Sequence, residues 1–209
     1  MEILFARHGN TFDPGDRVVW VGRETDLPLV EKGLAQASAA AEALRRTGRI
    51  PDVIFTASLK RTRRFAEIVA ATLGLPPPVI DGRLDEVDYG RWAGRTNDEI
   101  AADAPSAQAA MEAWNSSDAW PAEAGWISRK DEILQAVWDF AGERLGEAAA
   151  NRPLVVSSNG ILRFLPRALL PAAAHRASFK MKTGALGIID REGGEARLRC
   201  WDVKPEELS

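Results

Sequence analysis

The chain of 209 residues contains one cysteine, two histidines and a single tyrosine. The lone thiol, Cys200, excludes an intrachain disulfide and fits a reducing compartment. With imidazole available only at His8 and His175, and no acidic residues at ligand spacing, the sequence offers no metal site and implies no cofactor. Charge of one sign is also missing. The 27 Lys and Arg residues against 30 Asp and Glu give a net charge of −3, which argues against nucleic acid or an anionic membrane surface as a partner. No apolar run approaches the ~20 residues of a membrane span, and the N-terminus lacks the apolar core of a signal peptide. These absences lead to the expectation of a cytoplasmic protein with no membrane attachment. A composition 45% apolar and 27% charged is enough for one substantial core, so a single domain over 1–209 is expected.

What is present alternates short strand-like runs with helical ones. Glu2-Ile3-Leu4-Phe5-Ala6 reads as a strand buried on both faces, followed by a Gly, Asp and Pro-rich loop over 12–28. Leu34, Ala37, Ala41 and Leu44 give helical spacing over 29–46, closed by Gly48. A second buried strand is predicted over 52–56. Ser58 is the predicted N-cap of a helix ending near Leu73, before Gly74 and Pro76. A short strand over 78–81 follows. Residues 97–126 form the least regular stretch, with Trp114, Trp120 and Trp126, and read as a lid-like insertion. Beyond it the pattern predicts a helix over 129–147, a strand over 154–156 and a helix over 159–170. Strands over 185–190 and 196–202 close the chain, with Glu192-Gly193-Gly194 as their hairpin. This alternation predicts an α/β three-layer sandwich, with a mostly parallel central sheet and helices on both faces.

In such a sheet, ligands collect beyond the C-terminal ends of the strands. Arg7-His8-Gly9-Asn10-Thr11 leaves the first strand there. It sets a permanent cation beside a titratable nucleophile, which suits phosphate chemistry. Ser58-Leu59-Lys60-Arg61 leaves the second strand and puts Arg61 in the first turn of a helix, where free N–H groups and the dipole favour an anion. Ser157-Ser158-Asn159-Gly160 makes a third strand-to-helix turn with small polar groups. Leu84 to Gly94 is a Gly- and acid-rich loop, in which a carboxyl beside Tyr89 and Trp92 can be kept neutral enough to act as a general acid. Lys60, Arg63 and Arg64 read as a solvated helix face.

In this order the pieces resemble the histidine phosphatase superfamily, also called phosphoglycerate mutase-like. Arg7-His8-Gly9-Asn10-Thr11 resembles its R-H-G-x-T signature, and Asp26-Leu27-Pro28-Leu29 with Glu31-Lys32-Gly33 its loop and first helix. Ser58 to Arg61 is similar to S-x-L-x-R, although Leu59 directly follows the serine, and Leu84 to Gly94 to L-x-E-x-x-x-G-x-W-E-G. The resemblance implies that His8 is a nucleophile taking a phosphoryl group, that Arg7 and Arg61 clamp its oxygens, and that Glu86 is the proton donor to the leaving oxygen.

The departures define the question. Aligning 155–163 on the family's strand–H-G-G–helix segment puts Ser158 where the second histidine belongs. His175 follows the helix predicted from Asn159, whose roughly eleven residues at about 1.5 Å each carry the chain some ~16 Å from the site edge, and it is expected outside the site. Asn10, Pro14 and Ala93 stand where the family commonly has other residues, and its G-E-S segment is not cleanly present around 122–124. Losing a cationic donor typically costs about 10²–10³-fold in rate. Ser158 and Asn159 are then neutral donors beside a phosphate site formed with Arg7, Arg61 and Asn10.

Two readings follow. One is a metal-independent phosphatase acting on a small phosphomonoester through phospho-His8. The alternative is a weak or inactive member that binds a phosphorylated ligand; a phosphomutase is the lesser expectation. A small phosphorylated molecule is the expected partner, with a homodimer left open. Lys180 and Lys182 precede a late strand, and either is a candidate to replace the missing charge.

Overall fold

Alternate residues of the first strand go to opposite sides of the sheet. In β1 (Glu2–Arg7), Ile3 and Phe5 enter one core, while Leu4 and Ala6 enter the other. This is the period-2 pattern of a strand covered on both faces. The computed structural model describes residues 1–146 and 152–209. It adds β2 (Val53–Thr56), β3 (Val79–Ile80), β4 (Pro153–Ser157), β5 (Leu186–Glu192) and β6 (Glu195–Val203) in one sheet of order β3-β2-β4-β1-β5-β6. The first four strands of that order are mutually parallel, β5 pairs antiparallel with β1, and β6 pairs antiparallel with β5. The hairpin between β5 and β6 turns on Gly193 and Gly194, at φ 58° and 84°. Two consecutive left-handed residues are what a type I′ turn requires.

Helices α1 (Glu31–Arg46) and α2 (Lys60–Leu73) cover the Leu4 face, and α1 buries the Ala37, Ala40, Ala41 and Leu44 stripe. The Phe5 face is covered by α5 (Lys130–Arg144), through Val137 and Phe140, and by Leu165 further along the chain. The protein is therefore an α/β sandwich with a mixed, mainly parallel sheet.

Three local expectations are corrected. Ser58 does not cap α2; the helix begins at Lys60 with Leu59 as N-cap, and Ser58 gives its N–H and hydroxyl to Asp85 at 2.7 and 2.8 Å. The stretch over 97–126 holds two helices, α3 (Asn97–Ala101) and α4 (Pro105–Ser117). Their signals were in the sequence: Thr96 and Glu99 form a capping box, and Pro105 sits at the start of α4. The helix expected over 159–170 is split into α6 (Asn159–Leu162) and α7 (Leu165–Leu169). Pro166 has no N–H to continue α6 and instead occupies the first turn of a new helix. The expected end of α5 at Glu147 lies outside the described residues.

One carboxylate fastens the 97–126 segment to the rest. Asp118, in the left-handed region at φ 55°, ends α4 with its side chain 2% exposed. It accepts from Arg163 Nη1 at 2.7 Å, Arg167 Nη2 at 2.9 Å, Ser178 Oγ at 2.6 Å and the Phe179 N–H at 2.9 Å. Arg163 also donates to the Trp114 carbonyl and stacks on the Trp114 ring at 4.3 Å. Asp118→Ala would leave Arg163 buried without its counter-charge, and losses of that kind cost about 3–5 kcal/mol. Thermal unfolding should register it as a drop in Tm of roughly 6–20 °C, whereas Arg129→Ala, at an ion pair 68% exposed on both sides, should be neutral. Equal effects of the two substitutions would contradict this account.

Candidate active site

The parallel register brings three chain segments to one edge. Arg7 lies opposite Ser157 and Thr56 opposite Val156, so β1, β2 and β4 deliver the residues that follow them to the same side of the sheet. The His8 N–H still donates to the Ser157 carbonyl at 3.2 Å, which prolongs the pairing by one residue. The chain then meets the start of α1 at backbone contact. A Cβ on Gly9 would stand 2.4 Å from the Gly33 carbonyl oxygen, and one on Gly33 would stand 2.3 Å from that of Asn10. Only glycine fits at either position.

Among the described residues, a cavity of about 830 Å³ opens at this edge, lined by Arg7, His8, Asn10, Arg61, Glu86 and Asn159 together with the 11–21 loop. His8 is 5% exposed, and its Nδ1 lies 2.8 Å from its neighbour's carbonyl, Gly9 O. A carbonyl accepts only, so Nδ1 carries the proton and Nε2 is left with a free lone pair. Burial, then the charges of Arg7 and Arg61, hold the imidazole well below its usual range, so it is neutral at pH 7. Both guanidiniums are fixed on backbone carbonyls rather than carboxylates. Arg7 Nη1 donates to Met181 O at 2.7 Å, and Arg61 donates to Thr25 O at 2.9 Å and Gly22 O at 3.2 Å. Carbonyl anchors set the direction of an arginine without neutralising it. The N-terminus of α2 is held by acids from two loops, with Lys60 N–H on Asp26 at 2.6 Å and Ser58 on Asp85.

Glu86 is 5% exposed. It accepts from the Val87 N–H at 2.9 Å and the Gly160 N–H at 3.3 Å. Burial raises its pKa against the opposing pull of Arg61 and those N–H groups. The carboxyl presses on the turn after β4: a Cβ on Gly160 would stand 2.1 Å from Glu86 Oε1 and 2.9 Å from the Tyr89 hydroxyl. Tyr89 is buried, reaches the Glu86 carboxyl, and is held well above the usual phenol range by burial and then by Glu86, so it stays protonated.

The turn over 157–160 divides its roles. Asn159 lines the cavity, and its Oδ1 accepts from the Met181 N–H at 2.9 Å, which leaves the amide NH₂ free to donate. Ser158 is fully buried, its Oγ has no hydrogen-bond partner, and it is not among the cavity-lining residues. Asn10 lines the cavity, with its Oδ1 accepting from Thr183 Oγ1 at 2.5 Å. His175 is outside the lining and points Nε2 at Leu170 O, 3.2 Å away. Lys180 lines the cavity, whereas Lys182 does not and lies 3.9 Å from Asp202.

Sequence reasoning missed several contributors. Trp20, from the 12–28 loop, meets Tyr89, Trp92 and Trp126 at 5.0–6.2 Å and lines the cavity with Trp114. Five of the seven tryptophans thus form one cluster, mostly core, with two members facing the cavity. Arg163 also lines the cavity, with Nε and Nη2 buried and unpartnered. Its signal was positional, four residues after Asn159 and so on the same side of a helical turn.

The sequence and the fold that build this edge have counterparts in known proteins. Residues 3–204 match the histidine phosphatase superfamily (branch 1). The chain is 32% identical over 174 residues to glucosyl-3-phosphoglycerate phosphatase of Mycolicibacterium vanbaalenii, covering 80% of this chain and 73% of that protein. It is 32% identical over 161 residues to 2,3-bisphosphoglycerate-dependent phosphoglycerate mutase of Methylobacterium radiotolerans, covering 76% and 73%. The structure of mycobacterial glucosyl-3-phosphoglycerate phosphatase complexed with VO3 superposes with a TM-score of 0.72 at 30% identity, covering 97% of this chain and 98% of that one. The alpha-ribazole phosphatase of Shigella flexneri shares the fold, with a TM-score of 0.73 at 23% identity over 98% and 97% of the chains. The chain belongs to the histidine phosphatase superfamily.

Proposed function

We propose that the protein is a metal-independent phosphatase that hydrolyses small phosphomonoesters through a phosphohistidine on His8. The observation that carries this reading is the protonation pattern. A buried imidazole with its proton held on Nδ1 by Gly9 O presents a neutral Nε2 nucleophile at pH 7. In the first step Nε2 attacks phosphorus in line, the N–P bond forms as the P–O ester bond breaks, and Glu86 gives its proton to the departing oxygen. Arg7 and Arg61 hold the equatorial oxygens, and the Asn159 amide adds a neutral donor. In the second step the Glu86 carboxylate takes a proton from a water that attacks phosphorus, which releases phosphate and restores His8.

The cavity is larger than a phosphate needs, and Val18, Val19, Trp20 and Trp114 give it apolar walls. That supports a leaving group with an apolar or ring face. Hydrolysis is favoured over mutase chemistry because a mutase must retain its phosphoryl group in a sealed pocket, and here Val18 stands 63% exposed at the cavity wall. One observation favours the second reading, a phosphate-binding protein with little turnover: the Ser158 hydroxyl is buried behind the lining and supplies no charge.

Hydrolysis of an aryl phosphate by wild type, His8→Ala and Ser158→His separates the two. A phosphatase turns over as wild type and loses all activity in His8→Ala. A binding protein sits near background and gains visibly in Ser158→His. Activity that survives His8→Ala would refute the phosphohistidine mechanism.

The pH dependence has a definite sign. His8 must be neutral, so activity falls as pH drops through an imidazole pKa lying below the usual ~6.5. Glu86 must be protonated, so activity falls as pH rises through a carboxyl pKa lying above the usual ~4.3. The kcat/KM profile should be a bell with its maximum on the acid side of neutrality, its limbs belonging to the coupled site. Tyr89→Phe removes only the hydroxyl beside Glu86, and should move the alkaline limb upward while the acid limb stays. A profile that rises monotonically to pH 9 would contradict these assignments.

A further inference from the structure

The cations at the cavity are short of counter-charge. Arg7 and Arg61 rest on carbonyls, and the Nζ of Lys180 has a neutral anchor, Asn115 Oδ1 at 2.8 Å. Arg163 shares Asp118 with Arg167 and keeps two buried N–H groups unpartnered. Five basic residues line the cavity, Arg7, Lys32, Arg61, Arg163 and Lys180, against three acids, Asp13, Asp98 and Glu86, and burial favours the neutral form of Glu86. An ammonium usually pairs with a carboxylate when one is near, as Lys182 does with Asp202. Lys180, an exposed residue, instead lines a cavity shared with Arg7 and Arg163, whose charges act against its own. Such an excess of positive charge is relieved by an anion.

The backbone around Lys180 is tied to the phosphate site on both sides. The preceding residue, Phe179, gives its N–H to Asp118. The following one, Met181, accepts from Arg7 Nη1 at 2.7 Å and gives its N–H to Asn159 Oδ1 at 2.9 Å. Lys180 is therefore held beside two residues of the proposed phosphoryl pocket, with Nζ–H groups left over after the Asn115 contact. Building on the phosphohistidine reading, we propose that Lys180 contacts the phosphoryl group during transfer and supplies the positive charge that an imidazolium at position 158 would otherwise provide. Its ammonium is a compact point charge with three donors, so it can hold Asn115 and a phosphoryl oxygen together. It neutralises charge on the equatorial oxygens as the P–O bond lengthens, and no proton need leave it.

The test uses the full chain as wild type, Lys180→Met, Lys180→Arg, Lys182→Met and His8→Ala. Hydrolysis is measured on an aryl phosphate and on a phosphomonoester bearing an additional carboxylate, and binding of vanadate and of inorganic phosphate by calorimetry. Lys180→Met should lower kcat on both substrates by about 10²-fold, the usual cost of removing one such donor. It should weaken vanadate, which mimics the five-coordinate phosphoryl group, more than phosphate. Lys180→Arg should recover most of the loss, and Lys182→Met should match wild type. Unchanged kcat and vanadate binding in Lys180→Met would overturn the proposal. So would a loss confined to KM for the carboxylate-bearing substrate, which would make Lys180 a second-anion subsite. Activity persisting in His8→Ala would instead remove the phosphohistidine reading, and the vanadate measurement would still decide the role of Lys180.

Discussion

The site depends on the burial of the His8 and Glu86 side chains, each 5% exposed. Burial costs the charged form of any group, and here it acts on two residues in opposite directions. It keeps the imidazole of His8 neutral and presses the carboxyl of Glu86 toward its protonated form. The two shifts bring the ranges of a neutral imidazole and a protonated carboxyl closer together. Two environments separating two titratable groups is a general way to assign acid and base roles on one scaffold. Arg7 and Arg61 deepen the effect on His8 and oppose it on Glu86, so they tune the pair.

Holding those side chains in register is what the surrounding fold does. Three parallel strands release their chains at one edge, and glycines at 9, 33 and 160 let backbone and carboxyl approach to distances that any Cβ would block. The aromatic cluster from Trp20 to Trp126 seals one side and buries Tyr89 against Glu86. Asp118 ties the 97–126 segment to Arg163, Arg167 and the strip holding Lys180. Stability and site geometry thus share residues. A change at Asp118 would reach the cavity through Phe179 and Arg163.

Much of this could be read before any coordinates. Period-2 burial in Ile3 to Ala6 and the helical stripe of α1 are strong local signals, and the strand-to-turn passages at Arg7, Ser58 and Ser157 sit where an α/β sheet gathers ligands. The rest was invisible for physical reasons. Ser58 looks like an N-cap, but Asp85, 27 residues away, takes its donors. The capping box at Thr96 and Glu99 heads a helix of five residues, too short to show a periodic apolar face. Lys180 and Lys182 are equal candidates in the sequence, and only Asn115, reached across the fold, sets Lys180 apart; Arg163 is an ordinary basic residue until Asp118 fixes it at the cavity wall. Ser158 can be aligned by order, but that its hydroxyl lies behind the lining is a matter of side-chain direction.

The central claim is that His8 carries the phosphoryl group covalently. It is tested most directly by turning the protein over on a phosphomonoester labelled in its phosphoryl group, quenching in alkali and locating the label by peptide mass spectrometry. The account predicts a label on His8 that is stable to base, lost in acid, and absent from His8→Ala. Turnover with no covalent label, or a label on another residue that persists in His8→Ala, would contradict it.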